Sequence, residues 1–183
     1  AIPAKVILCG PVTVSGTETW SSPLDETVEV TRWDDSALTL NQFVTVADGG
    51  SLTLENVVLD GLYGEAETSV NTIVSVAAGG SLTLADGAAV RGSAGSGVSV
   101  AGGSVTLAGG EISGNKGRGI NATGASTVKV VSGRITGNGR NGVYLDGGSM
   151  TMAGGEISGN YAVVEGTERY AGHRGGGVWI AGG

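Results

Sequence analysis

The chain has few of the residues that most globular proteins use to build a core. Aromatic residues make up 4% of its 183 positions and charged residues 15%, with three prolines and one cysteine. That residue, Cys9, has no partner for an internal disulfide, although an intermolecular one stays open. It follows the apolar residues 6–8, which predicts a buried thiol. The chain has no run of about 18 apolar residues, so the sequence predicts no membrane span.

Positive charge is also scarce. Seventeen acidic residues stand against ten basic ones, which gives a formal net charge of -7. A nucleic-acid-binding protein needs a basic surface to displace counterions from phosphates, so we expect no nucleic-acid partner. The sequence has no nucleophile elbow, no phosphate-binding loop and no zinc-ligand spacing, so it predicts neither a cofactor nor a metal site.

Glycine, by contrast, is abundant, with 36 residues. This is well above the usual share of about 7%. The glycines follow no three-residue period, which excludes a collagen-like triple helix. Val, Leu and Ile recur at every second position through much of the chain, which argues against disorder because alternation of this kind gives strands an apolar face.

A repeated unit accounts for much of this glycine. Residues 102–115 read GGSVTLAGGEISGN and return at 147–160 as GGSMTMAGGEISGN. A diverged copy occupies residues 126–138. Shorter copies, which read GGSLTL, occupy residues 49–54 and 79–84. Internal repetition at a fixed period is typical of a solenoid protein.

The period of the repeat indicates its secondary structure. Leu84, Leu107, Val130 and Met152 occupy one equivalent position, with successive spacings of 23, 23 and 22 residues. This unit is shorter than a two-helix repeat of about 34 residues, and it has no helical periodicity. A coil that turns the same way at every corner stacks equivalent short strands in parallel. The sequence predicts an all-β, single-domain, three-sided right-handed parallel β-helix with about seven to eight turns, here called rungs.

Each repeat contains three strand-like pieces separated by residues that favour tight corners, such as Gly-Gly, Ser-Gly-Asn and Asp-Gly. Like residues should therefore stack along the axis. The predicted core columns are Leu52, Leu82, Val105, Val128 and Met150; Leu54, Leu84, Leu107, Val130 and Met152; and Leu59, Val90, Ile112, Ile135 and Ile157. At one corner, Asn115, Asn138 and Asn160 are predicted to form a ladder of side-chain amides.

We expect one continuous domain with two parts. Residues 1–48 are predicted to form irregular early rungs or a cap, with strand-like segments at 12–14, 28–30 and 38–40 and with Trp20 and Trp33 over the end of the core. Residues 49–183 are predicted to form regular rungs. A solenoid needs protection at its ends, because a terminal rung exposes core and unpaired backbone. The sequence stops where another Gly-Gly-Ser unit would begin, so we expect a fragment of a longer array.

The unit G-G-S-x-T-[LM]-A-G-G-E-I-S-G-N resembles the right-handed parallel β-helix repeats of the pectate-lyase-like superfamily. It is similar in particular to the glycine-rich repeats of large bacterial cell-surface proteins of the adhesin type. The resemblance is clear over residues 49–183 and weaker before them. It implies the fold and an extracellular, cell-surface location in a bacterium, and it does not specify an activity.

Catalytic signals are weak. A lyase of that superfamily would need a base and, usually, clustered acidic Ca²⁺ ligands, but the aspartates fall at different corners or rungs. Glu111 and Glu156 lie two rungs apart, about 9.6 Å, which would suit a glycosidase. Arg134 stands between them, so we expect a ladder of opposite charges instead.

The most specific site prediction concerns aromatic residues on the third strand. Tyr144 and Trp179 should point outward on neighbouring rungs and offer an apolar surface to a sugar or a protein. Two insertions, 62–72 and 161–175, are predicted at the corner between the second and third strands. Insertions at one corner often line a binding edge. The candidate ligand-binding residues are Tyr144, Trp179, Tyr170, His173 and Arg174.

These patterns leave three functions open. The first is a non-catalytic, extracellular scaffold that binds a glycan or a host or surface protein. The second is a polysaccharide lyase or glycoside hydrolase of the pectate-lyase-like fold. The third is a structural filament subunit that associates end to end through its last rung.

Overall fold

The computed structural model of the protein describes residues 5–22, 27–32, 42–62, 70–161 and 176–182. Within these ranges the regular structure consists of eighteen strands, and every pair of neighbouring strands is parallel. The strands are β1 (Lys5–Leu8), β2 (Val12–Val14), β3 (Thr17–Ser21), β4 (Val28–Arg32), β5 (Gln42–Val46), β6 (Ser51–Glu55), β7 (Val57–Asp60), β8 (Thr72–Val76), β9 (Ser81–Leu84), β10 (Ala89–Arg91), β11 (Ser96–Ala101), β12 (Ser104–Ser113), β13 (Ile120–Thr123), β14 (Thr127–Thr136), β15 (Val143–Asp146), β16 (Ser149–Met152), β17 (Glu156–Ser158) and β18 (Val178–Gly182).

The strands form three faces, which the chain visits in a fixed order. Face 1 contains β3, β6, β9, the first half of β12, the first half of β14, and β16. Face 2 contains β1, β4, β7, β10, the second halves of β12 and β14, and β17. Face 3 contains β2, β5, β8, β11, β13, β15 and β18. The predicted three-sided coil of parallel strands is confirmed, with up to seven strands on a face.

The core consists of like residues stacked in register along the axis. On face 1, Leu84 pairs with Leu107, Leu107 with Val130, and Val130 with Met152. The two other predicted columns are also in register. Leu107 and Val130 are fully buried, which is expected where every rung is covered by a rung above and below. The repeat period therefore predicted the core correctly.

The asparagine ladder at the corner between faces 2 and 3 is confirmed. Nδ2 of Asn115 donates to Oδ1 of Asn138 at 2.9 Å, and Nδ2 of Asn138 donates to Oδ1 of Asn160 at 2.8 Å. The same oxygen atoms accept the backbone N–H groups of Asn115 and Asn138. Ser93 begins the ladder, because its backbone N–H donates to Oδ1 of Asn115. These bonds satisfy corner groups that no strand can pair.

The N-terminal rung continues the coil but departs from the repeat. The predicted strands at Val12 and Val28 are β2 and β4, and Trp20 packs, partly buried, against the core. Trp33 and the predicted strand at 38–40 lie outside the described residues. The expectation of a buried Cys9 is wrong: its thiol is exposed. Cys9 follows β1, the outermost described strand of face 2, so no described strand stacks beyond it.

Both ends of the coil expose apolar side chains. At the first rung, Val6 and Ile7 of β1 are 45% and 47% exposed, and Glu18 aligns with Leu52 of a core column. At the last described rung, Met152 is 48% exposed and Ile180 is 60% exposed, and no described strand pairs beyond β16 and β18. We call the exposed apolar side chains of β16, β17 and β18 the apolar end surface.

The long connections share one corner. The chain passes from face 2 to face 3 over residues 33–41, over residues 61–71 and again over residues 159–177. The insertions 62–72 and 161–175 stay a prediction, because most of their residues lie outside the described ranges. Most of these residues, including Tyr170, His173 and Arg174, lie outside the described ranges.

Candidate ligand-binding surface

The outward residues of face 3 form one straight column. Ser75, Ser99, Asn121, Tyr144 and Trp179 are direct neighbours on successive strands. Strand geometry explains this, because Val143 and Leu145 point into the core and so turn the residue between them outward. The column changes from small hydroxyl side chains to large aromatic ones toward the last rung.

Tyr144 and Trp179 contact each other edge to face. Their ring centroids are 5.2 Å apart and their planes meet at 80°. This is a favourable arrangement for two aromatic rings, worth about 0.5–1.5 kcal/mol. The two rings are therefore not coplanar, and they do not form one flat platform. Both side chains are half-buried, so they remain accessible to a ligand.

Arg118 also contacts the Tyr144 ring. Its guanidinium carbon lies 4.0 Å from the Tyr144 ring centroid, a cation–π contact. Its Nη1 donates to Oδ1 of Asn121 at 2.9 Å. Its Nε is buried and has no hydrogen-bond partner among the described residues. Burial lowers the pKa of the Arg118 guanidinium; Tyr144 acts in the opposite direction, and the charge of Arg140 lowers the pKa further.

Arg140 brings a second positive charge to the same corner. Its backbone N–H donates to the carbonyl of Gly117 at 2.9 Å, so it stands one rung above the Arg118 corner. In the part of the chain that the structure describes, neither arginine forms an ion pair. We call the group Arg118, Asn121, Arg140, Tyr144 and Trp179 the aromatic–arginine surface.

The structure describes two of the five site residues that the sequence predicts. It brings Tyr144 and Trp179 together, whereas Tyr170, His173 and Arg174 lie outside the residues that it describes. Sequence reasoning missed Arg118. A usable signal was present, because Arg118 precedes Asn121 by three residues and Asn121 occupies the same column as Tyr144.

The predicted charge ladder on face 2 is only partly formed. Arg134 Nη2 lies 3.0 Å from Oε2 of Glu111, as expected. Arg134 is also the strand neighbour of Glu156, but Oε1 of Glu156 accepts a hydrogen bond from Ser158 Oγ at 2.5 Å instead. Charge pairing thus engages one of the two carboxylates. Among the described residues, no group of three or more His, Cys, Asp or Glu is placed to hold a metal ion.

Within the described ranges, no helix is both long and apolar enough to cross a bilayer.

Comparison with known protein families supports the β-helix fold. The sequence model of one family, described as right handed beta helix region, matches residues 41–183, more than three quarters of the chain. No curated protein and no solved structure matches the chain. The family match covers every rung that carries the aromatic–arginine surface. The protein therefore belongs to the right-handed beta helix region family, and its parallel coil is right-handed.

Proposed function

We propose that the protein is a non-catalytic binding module in which a rigid β-helix presents the aromatic–arginine surface to a glycan or a protein. The observation that carries this proposal is the half-exposed pair of Tyr144 and Trp179 beside Arg118, which forms no ion pair with a described residue. An aromatic ring with a polar edge suits the apolar face of a sugar, and arginine and tryptophan are enriched in protein-binding sites. An adhesin-type role at a bacterial cell surface is part of this proposal.

The scaffold suits this role. Register-matched strands hold the outward column of face 3 against a fully buried row that includes Ile120, Val143 and Leu145. A side chain on such a strand loses little further freedom on binding, which favours affinity. Long connections at the neighbouring corner would add contacts along the same edge.

Binding to an array of glycans and of candidate surface proteins tests the proposal, with Trp179→Ala and Tyr144→Ala as the variants. Each substitution should weaken a binding interaction of the wild-type chain at least about fivefold, because each removes aromatic contact area of a kind that costs about 1–3 kcal/mol to lose. Thr106→Ala, on face 1, is the matched control and should bind as the wild type does. Unchanged binding by both aromatic variants would overturn the proposal.

A second candidate function is a polysaccharide lyase, and Arg118 is the observation that favours it. A lyase base removes the proton next to the sugar carboxylate, the glycosidic C–O bond breaks, and the leaving oxygen takes up a proton. Arg118 has a lowered pKa and forms no ion pair with a described carboxylate, which is one property of such a base. Absorbance of the unsaturated product would reveal turnover, and its loss in Arg118→Lys would support this candidate over the binding module.

A third candidate is a filament subunit that associates through the apolar end surface. Exposed Met152, Val178 and Ile180 at the last rung favour this reading. Sedimentation over a range of concentrations would separate it from the first two. A monomer at all concentrations would contradict it, whereas association abolished by Ile180→Asp would support it.

A further inference from the structure

Arg118 and Arg140 have an unusual electrostatic environment. They place two positive charges at one corner of a chain with a net charge of -7. Arg91 and Arg134 show the usual arrangement, because each lies within 3.0 Å of a carboxylate. A partly buried cation without an anionic partner has lost hydration and gained little in return. Among the residues that the structure describes, the aromatic–arginine surface therefore has no negative charge to balance its two arginines.

The guanidinium of Arg118 is held in place but is not saturated. Tyr144 covers one face of it, and Asn121 accepts from Nη1. Among the described residues, Asn121 is the hydrogen-bond acceptor of Nη1, and the guanidinium has further N–H groups that could donate to an incoming carboxylate or sulfate. Arginine positioned by stacking in this way is well suited to bind a carboxylate or a sulfate. A bound anion would also relieve the repulsion between Arg118 and Arg140.

The position of Trp179 sets a second requirement on the ligand, in addition to a negatively charged group. Trp179 lies one rung beyond Tyr144 and two beyond Asn121, which places it about 5–10 Å along the axis from the guanidinium. That distance corresponds to neighbouring units of an extended sugar chain. The indole carries no positive charge and offers an apolar face. One sugar would thus meet a cation while the next meets an aromatic ring.

We infer that the aromatic–arginine surface binds a glycan in which a sugar bearing a carboxylate or sulfate stands next to a neutral sugar. This inference rests on the proposed binding function and names the ligand class. A glycan fits better than an acidic protein surface because the outward column runs straight along the axis over successive rungs, and an extended chain can follow it.

Isothermal titration of the full chain tests the inference. The probes are hyaluronan, which alternates carboxylate-bearing and neutral sugars; polygalacturonate, in which every unit is acidic; dextran, which is neutral; and polyglutamate, an acidic polypeptide. Hyaluronan should bind at least about tenfold more tightly than any of the others, since charge-assisted hydrogen bonds are worth about 1.5–3 kcal/mol. Its affinity should fall as salt rises. A chondroitin sulfate arm shows whether sulfate strengthens binding beyond the carboxylate.

Two arginine variants and one control localise the effect. Arg118→Gln should weaken hyaluronan binding about tenfold or more, and Arg140→Gln should weaken it by a smaller factor. Arg134→Gln removes the same charge from face 2 and should bind hyaluronan as the wild type does. Circular dichroism of each variant verifies that the coil is intact.

The possible failures are distinguishable. If dextran binds in a Trp179-dependent way with no preference for hyaluronan, the inference is wrong and the proposed function stands. If polygalacturonate or polyglutamate binds as tightly as hyaluronan through Arg118, the ligand class is wrong. If hyaluronan binding is unaffected by Arg118→Gln, the assignment of Arg118 as the anion-binding residue is wrong. If no glycan and no protein binds, both the inference and the proposed function fail.

Discussion

Asn115 and Asn138 are joined by two hydrogen bonds to a single oxygen atom. Oδ1 of Asn138 accepts from Nδ2 of Asn115 at 2.9 Å and from its backbone N–H at 3.2 Å. Both residues are buried. One side chain thus ties two consecutive rungs together at the corner where backbone pairing is interrupted, and the corner retains its shape from rung to rung.

Asn138→Ala should lower the free energy of unfolding by about 3 kcal/mol. The substitution leaves the buried N–H of Asn115 without its acceptor and removes the donor to the carbonyl of Ile112. Each unsatisfied buried group costs about 1–3 kcal/mol. Urea denaturation measures the loss. Asn121→Ala, an outward asparagine on face 3, is the control and should cost less than about 1 kcal/mol. Equal losses in the two variants would contradict the structural role of the ladder.

Leu107→Ala should cost about 3 kcal/mol, whereas Met152→Ala should cost less than about 1 kcal/mol. The two residues belong to the same core column, but Leu107 is fully buried and Met152 is 48% exposed at the end of the coil. Only the first substitution leaves a closed cavity. Thermal unfolding of the two variants gives the comparison, and a larger effect at Met152 would mean that the last rung is covered.

Gly133→Ala should lower the free energy of unfolding by about 3 kcal/mol or more. Gly133 has φ +91°, and an added Cβ would collide with the carbonyl oxygen of Gly110 on the rung below. Gly124→Ala is the matched control. Its φ is +66°, but the nearest atom to an added Cβ, the nitrogen of Gly102, is 3.9 Å away. The control should cost only the backbone strain, about 1 kcal/mol. Equal effects would exclude close rung stacking at Gly133.

Glu111→Gln should cost about 0.5 kcal/mol at low salt and nothing measurable at 1 M salt. The Glu111–Arg134 pair is largely solvent-exposed, and exposed ion pairs contribute about 0–1 kcal/mol. A double-mutant cycle with Arg134→Gln isolates the coupling energy. Glu156→Gln combined with Arg134→Gln should show weaker coupling, because Glu156 accepts a hydrogen bond from Ser158. A Glu111–Arg134 coupling energy that is insensitive to salt would contradict the interpretation of this pair as a solvent-exposed ion pair.

The sequence predicts the repetitive part of the fold well for a simple reason. In a parallel coil, residues one period apart are neighbours in space, so the 22- to 23-residue repeat is itself a contact map. Leu84, Leu107 and Val130 stack as that repeat predicts. The asparagine ladder and the neighbouring positions of Tyr144 and Trp179 follow from the same rule.

Features that depend on irregular spacing or on rotamers were not predictable in this way. The first rung lacks the repeat, so the placement of Glu18 in a core column and the exposure of Cys9 were hidden. Arg118 reaches Tyr144 from a corner and across a rung, which periodicity does not encode. The edge-to-face angle of the aromatic pair likewise depends on side-chain torsions alone.

Indole NMR signals give the most direct test of ligand binding at the aromatic–arginine surface. The chain has three tryptophans, of which Trp20 packs against the opposite end of the core from Trp179. Titration with hyaluronan should shift the indole N–H resonance that is lost in Trp179→Phe, in proportion to the bound fraction. The Trp20 resonance should not move. A Trp179 resonance that stays fixed while hyaluronan binds would place the ligand elsewhere and contradict the account.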